Sequence, residues 1–242
     1  MNQQELILSN NVNYHRFSII NALILIFSSA MPIFIASLFF QFFYSFFNSI
    51  ILVIILPLLI LFYYLLFNLN LLLTVKLLLV LLKLLHQPKA GIFPMKLKNL
   101  DYFFYCFRRS IKRLLFNVFN YFPLPWIRIF ALKLCKIKTP NSVGLLDSYI
   151  DMEFIEFGED SILGEGTMIM SSMIIDNKLL IKKVKLEAGC TVGAYSIVSP
   201  GTIIGKGTIL GGRSYTQIGQ ILEPGWVYVG RPATKLQKQE IG

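Results

Sequence analysis

The reading of this chain is decided by seven consecutive-phase blocks of six: Phe157-Gly-Glu-Asp-Ser-Ile162, Leu163-Gly-Glu-Gly-Thr-Met168, Leu186-Glu-Ala-Gly-Cys-Thr191, Val192-Gly-Ala-Tyr-Ser-Ile197, Val198-Ser-Pro-Gly-Thr-Ile203, Ile204-Gly-Lys-Gly-Thr-Ile209 and Leu210-Gly-Gly-Arg-Ser-Tyr215. Each opens on a large apolar residue, and Gly follows it in five of the seven. The fifth place is always small: Ser161, Thr167, Cys190, Ser196, Thr202, Thr208 and Ser214. Neither a helical period of 3.6 nor the alternation of a plain strand gives this spacing.

A period of six predicts a stacked triangular coil. Each hexad supplies a short flat strand and a corner, three hexads close a turn, and turns stack through parallel backbone hydrogen bonds. The first residue points into the prism and the fifth sits where the wall bends and a bulky side chain would clash. Gly in second place is expected to relieve strain at the corner. The phase slips between Ile169 and Leu186, which lie 17 residues apart, so an irregular excursion is expected around Met173 to Lys185.

This stretch resembles the left-handed β-helix of the hexapeptide-repeat transferase family. The resemblance covers about the last ninety residues, through the ending Trp226-Val-Tyr-Val-Gly-Arg-Pro-Ala-Thr-Lys235. The family typically closes on Gly-Asn-Pro-Ala followed by a basic residue. Here Gly230, Pro232 and Ala233 match, and Arg231 stands in the Asn place.

Upstream, residues 17–75 contain no charged residue and no His. As one helix this run would measure roughly 88 Å at 1.5 Å per residue, against a hydrocarbon core of about 30 Å, so two crossings are expected. Spans near Ile19–Phe42 and Ile50–Phe67 fit, joined by a tight hairpin around Ser45, Asn48 and Ser49, with kinks at Pro32 and Pro57. Leu71–Leu85 carries Lys76 and Lys83, seven apart on one helical face. It reads as the second helix continuing out of the bilayer with both Lys snorkelling, a third span being the alternative.

Residues 76–138 hold thirteen cations against the single acid Asp101, a net of +12 that exceeds the +10 of the whole chain. Positive charge beside membrane spans marks the cytoplasmic side. The expectation is a multi-pass protein of the cell membrane, with the N-terminus and the coil in the cytoplasm. Residues 102–120 set Arg108, Arg109, Lys112 and Arg113 on one side and Phe103, Phe104, Phe107, Leu114, Leu115, Val118 and Phe119 elsewhere. Pro123 and Pro125 should break this helix, and residues 127–138 form a second basic amphipathic piece. Beside a transmembrane hairpin, anionic lipid is the expected partner of this stripe, in preference to nucleic acid.

The architecture expected is thus an α + β solenoid. It comprises an N-terminal segment (1–16), a transmembrane helical hairpin with its extension (17–86), interfacial amphipathic helices (87–140), a short left-handed parallel β-helix (141–236) and a tail (237–242). Within the β-helix, Tyr149-Ile-Asp-Met-Glu-Phe154 resembles the entry coil of membrane-linked family members. The three cysteines, Cys106, Cys135 and Cys190, are far apart and odd in number, which argues against a disulfide framework.

The resemblance implies acyl transfer from acyl-coenzyme A, such as acetyl-coenzyme A, within a homotrimer. It implies that the coenzyme phosphates lie near the closing region, which makes Arg213, Arg231 and Lys235 the candidate coenzyme-binding residues. Many relatives use a His on the excursion as general base, because imidazole titrates near the operating pH. This chain has only His15 and His86, both outside the β-helix, and Met173 stands at or near that place. Asp176 is the substitute base, with a turn role beside Asn177 as the plainer account. Relatives that are carbonic anhydrases bind zinc through three His, and this chain cannot supply them, so no metal is expected. Two functions remain open: an acyltransferase acting on a hydroxyl or amine of a membrane- or envelope-linked acceptor, or a catalytically inactive β-helix scaffold at the membrane.

Overall fold

The computed structural model describes residues 15–46, 49–120, 122, 124 and 126–238. The N-terminal segment before His15, the centre of the expected interhelical turn, the helix-breaking Pro123 and Pro125, and the last four residues of the tail lie outside these. The chain divides into two compact units at Leu85–His86.

The first unit is a pair of helices, α1 (His15–Phe46) and α2 (Ser49–Leu85). Asn70 Nδ2 donates to the Ser28 carbonyl at 2.8 Å, and the Phe39 and Phe62 rings meet edge to face at 5.3 Å. Contacts 28–70 and 39–62 run in opposite directions, so the helices are antiparallel. Both are long and apolar enough to cross a membrane. Leu, Ile and Phe side chains stand exposed along both, which is the reverse of what a water-soluble helix pair does. The stretch from Leu71 to Leu85 continues α2 without interruption, as expected, and Pro32 and Pro57 lie within helices.

The second unit begins with β1 (Gly91–Pro94), α3 (Leu100–Asn120) and α4 (Trp126–Leu134). Asn99 caps α3: its Oδ1 accepts the Tyr102 amide at 3.0 Å. The coil then follows as β2 (Gly144–Leu145), β3 (Tyr149–Ile150), β4 (Ile155–Phe157), β5 (Ile162–Leu163), β6 (Met168–Ile169), β7 (Ser172–Ile175), β8 (Lys178–Ile181), β9 (Val184–Leu186), β10 (Thr191–Val192), β11 (Ile197–Val198), β12 (Ile203–Ile204), β13 (Ile209–Leu210), β14 (Ile221–Leu222), β15 (Trp226–Gly230) and β16 (Ala233–Lys238).

Successive strands fall in turn on three parallel walls. One wall runs β2-β5-β10-β13-β15, the next β3-β6-β11, and the third β4-β9-β12-β14. Val192 lies beside Leu210 and Ile204 beside Leu222, eighteen residues apart, so three hexads make one turn. The seven first-place residues, Phe157 to Leu210, are all 2% exposed or less, as are the seven small fifth-place residues. Burying each large aliphatic rung contributes roughly 1.5–3 kcal/mol. The stack continues one rung past the last regular hexad through Thr216, a buried hydroxyl in an apolar place. Its Oγ1 accepts the Ser199 amide at 2.8 Å and meets Thr202 Oγ1 at 2.8 Å, so its polarity is matched.

Two expectations need correction. The second-place glycines are required by closeness of stacking: a Cβ on Gly193 would lie 2.4 Å from the Gly212 backbone nitrogen, one coil away. The strained corner is the fourth place, where Asp160, Gly166, Gly189, Tyr195, Gly201, Gly207 and Arg213 all have φ between 54° and 81°. The excursion, for its part, is a regular hairpin. Across it Leu163 pairs with Val192, 29 positions on, so eleven residues are inserted into one hexad. β7 and β8 pair antiparallel around Asp176-Asn177, and β1 adds to β8 as a third strand.

Candidate functional site

The largest departure from the sequence reading is at α3. Its basic stripe turns inward, onto the entry coil. Arg108 Nε lies 2.9 Å and Lys112 Nζ 3.0 Å from Glu153 Oε1, and Arg109 Nη2 lies 3.0 Å from Asp151 Oδ1. All five side chains are buried. The expectation that this stripe faces anionic lipid is therefore corrected for Arg108, Arg109 and Lys112. Buried cations need partners, and the two carboxylates supply them where a lipid surface would leave their desolvation unmatched. Asp151 and Glu153 were not singled out by sequence as partners, although the segment holding them was.

The network extends into the excursion. Asp151 Oδ2 accepts the amides of Ser171 and Ser172 at 3.1 and 3.0 Å and the Ser172 hydroxyl at 2.7 Å. It thereby fixes the point where the hairpin leaves the wall. Tyr105 is wholly buried here, and burial pushes its hydroxyl well above 10, partly offset by the Arg109 charge. Where α2 ends, His86 Nε2 lies 3.0 Å from Asp101 Oδ1, with its ring stacked on Phe104 at 4.8 Å. The His86 carbonyl accepts from Arg108 Nη1 at 3.3 Å.

Between one face of α3 and the first coil lies a cavity of about 270 Å³. Arg109, Arg113, Phe116, Asn117 and Asn120 line it from the helix, and Asp147 to Met152 from the coil. Tyr149 is its hub. The hydroxyl accepts from Arg109 Nη2 at 2.6 Å and Arg113 Nη1 at 3.3 Å and donates to Asp151 Oδ1 at 3.4 Å, while the Arg113 guanidinium lies 5.1 Å from the ring centroid.

The residues singled out by sequence fall in three places. Asp176 is exposed in the two-residue turn between β7 and β8, with φ of 47° and Asn177 at 56°. Those angles define a mirror-image hairpin turn, which favours Asp and Asn for their tolerance of positive φ. Arg213 occupies a left-handed corner, and its carbonyl accepts Arg231 Nε at 2.6 Å, so these two are brought together. Lys235 is held apart from them by Glu223, at 2.6 Å, and by the Trp226 ring, at 4.7 Å. Met173 lies on β7. Among the described residues no cluster of metal-ligating side chains occurs. Burial raises the Cys190 thiol to about 12 and the Cys106 and Cys135 thiols to about 11, so all three are small core side chains.

A three-walled parallel coil with a helix locked across its first turn defines the architecture. Solved structures similar to it include a maltose O-acetyltransferase from Clostridium difficile 630, at 17% identity and TM-score 0.47, covering 55% of this chain and 87% of that one. A hexapeptide-repeat acetyltransferase from Vibrio cholerae is similar at 14% identity and TM-score 0.45, covering 55% and 92%. An N-acyltransferase from Bacillus cereus, in complex with dTDP and 3-hydroxybutyryl-CoA, is similar at 21% identity and TM-score 0.31, covering 43% and 76%. Neither a family model nor a characterised protein matches the sequence.

Proposed function

We propose that this chain is a membrane-tethered acyltransferase of the left-handed hexapeptide-repeat class. It takes an acyl group from acyl-coenzyme A and passes it to a hydroxyl or amine of an acceptor held at the membrane. The observation that supports this reading most directly is the closing corner. A three-walled coil of strict hexad register ends in a fold-back that sets Arg231 on Arg213. The Arg231 guanidinium, held on the Arg213 main chain at one exposed corner, suits the phosphates of a coenzyme, since Arg binds phosphate oxygens in charge-assisted pairs. In this reading three copies assemble, each presenting the corner to its neighbour. α1 and α2 span the bilayer and the cationic excess keeps the coil on the cytoplasmic side. Exposed cations outside the α3 lock, such as Lys89, Lys96 and Lys98, meet anionic lipid in place of the buried stripe.

Calorimetry of the detergent-purified chain with acetyl-coenzyme A tests the proposal. A saturable heat is expected, weakened about ten-fold by Arg231→Ala, which corresponds to about 1.4 kcal/mol. No heat at high ligand concentration removes the transferase reading and leaves the scaffold. Asp176→Asn keeps the turn and removes the carboxylate, and on turn geometry alone it is expected to leave turnover unchanged. A lost turnover with coenzyme affinity intact would instead assign the acceptor's proton to Asp176.

A further inference from the structure

With Arg108, Arg109 and Lys112 turned onto the coil, the opposite side of α3 carries Leu100, Phe103, Phe107, Leu114 and Val118, at helical spacing and without a charge. None of these five is fully buried, and Leu100 is 62% exposed. The short helix α4 repeats the arrangement: Ile127, Ala131 and Leu132 are buried, while Trp126 and Phe130, one turn apart, stand exposed. Ile92, Leu97 and Leu124, beside the two helices in the chain, are exposed as well. A helix bathed in water shows its polar side outward; α3 hides its charges and shows carbon. The exposed Lys96 and Lys98 alternate with Leu97 just ahead of Leu100.

Three features select what covers this surface. Aromatic and aliphatic side chains flanked by lysines match the boundary between headgroups and acyl chains, a zone that Trp and snorkelling cations favour. A second copy of the chain would set like charge against like, because residues 76–138 carry a net +12. The chain also delivers the surface to a membrane: Gly91, the start of β1, follows Leu85, the end of α2, by six positions. That is a reach of at most about 22 Å, and α2 is long and apolar enough to cross a bilayer.

We infer that the outward faces of α3 and α4, with residues 92–100, form a docking surface for an anionic bilayer leaflet. Leu97, Leu100, Trp126 and Phe130 enter the headgroup boundary, and Lys96 and Lys98 meet lipid phosphates. This deepens the membrane-tethered reading and rests on α1 and α2 spanning the bilayer. The coil is then seated on the leaflet by its own helices and is not merely tied to it.

The chain has two tryptophans, which makes the test direct. The full chain carrying Trp226→Phe is reconstituted in phosphatidylcholine vesicles containing phosphatidylglycerol, with acyl chains brominated either next to the headgroup or at the chain end, and Trp126 emission is read. Quenching of about two-fold or more is expected from the bromine near the headgroup, and less from the deep one. The reciprocal variant Trp126→Phe leaves Trp226, four rungs or about 19 Å along the coil from β2. Its emission is expected to stay unchanged. Lys96→Gln combined with Lys98→Gln, or omission of phosphatidylglycerol, is expected to lower the quenching of Trp126 by about half or more. Phe130→Asp, at an exposed position, is expected to lower it as well. Trp126 emission indifferent to bromine at both depths, equal quenching of both tryptophans, or quenching that ignores the two lysines overturns the inference. Emission that changes instead with the number of chains per vesicle also overturns it, and assigns the surface to a second copy. An alkaline carbonate wash separates the two readings: a chain retained in the vesicles keeps the tether whatever Trp126 shows, and a chain released removes tether and docking together.

Discussion

The interior of the prism and the junction of α3 with the first coil are equally dry, but they are held by opposite means. Inside the prism, aliphatic rungs from Leu163 to Leu222 lie one above another with nothing to satisfy except volume. At the junction, three cations and two carboxylates share a space with almost no water, and each charge is tolerated only because its partners are in place. Damage to a rung costs in proportion to the atoms removed. Damage to the junction leaves a charge stranded, and the cost comes from the residue left behind. One region is therefore graded in its response and the other close to all-or-none.

The comparison is broken most severely from the prism side, and by the backbone. Gly193→Ala places a methyl 2.4 Å from the Gly212 nitrogen in the next coil. That contact is between main chains and cannot relax by a rotamer change. A loss above about 4 kcal/mol is expected, read as disappearance of the cooperative thermal transition of the coil. From the junction side, Glu153→Gln strands Arg108 and Lys112 and is expected to cost about 3–5 kcal/mol by chemical denaturation. Replacing all three by apolar residues, as Arg108→Met, Lys112→Met and Glu153→Leu, should recover most of that loss. If the triple variant is no better than the single one, the all-or-none account of the junction is wrong.

The smallest effect lies on the outer wall, where charges are wet. Lys183 Nζ, 2.8 Å from Glu156 Oε1, holds the Glu156 carboxyl below its ordinary 4.5. A depressed carboxyl stabilises the fold above its unfolded value, and that contribution is lost as pH falls through the folded value. The thermal midpoint of wild type should thus fall slightly more than that of Lys183→Met between neutral pH and about pH 3. Solvent screening keeps this difference small.

The same contrast explains what could be read in advance. The prism is written with a fixed period, so a single line of text contains both partners of every contact: Val192 announces Leu210 by its phase alone. The helical pair was equally legible, because fifty-nine residues without a charge have few other uses. The junction has no period. Arg109 and Asp151 are 42 residues apart, and the amphipathic pattern of α3 looks the same whether its basic face meets phospholipid or protein. What could have found it is the charge contrast: Asp151 and Glu153 belong to a stretch, residues 139–177, with acids and no Lys or Arg, whereas α3 is rich in cations. The strand β1 was also missed, since Gly91-Ile-Phe-Pro94 is too short to signal anything until β8 offers it an edge. The hairpin reads in sequence as an irregular excursion because its eleven inserted residues break the hexad phase, although Asp176-Asn177 carries the turn signal.

A parallel coil is, in principle, an endless thread: every rung offers its backbone to another, and nothing in a hexad says where to stop. Here β16 doubles back on β15 with its charged Lys235 and Lys238 outermost. The strand that would have recruited a further rung, or a stranger's chain, is already occupied. The length of the rod is thus written into its last dozen residues, and the thread ends in a knot of its own making.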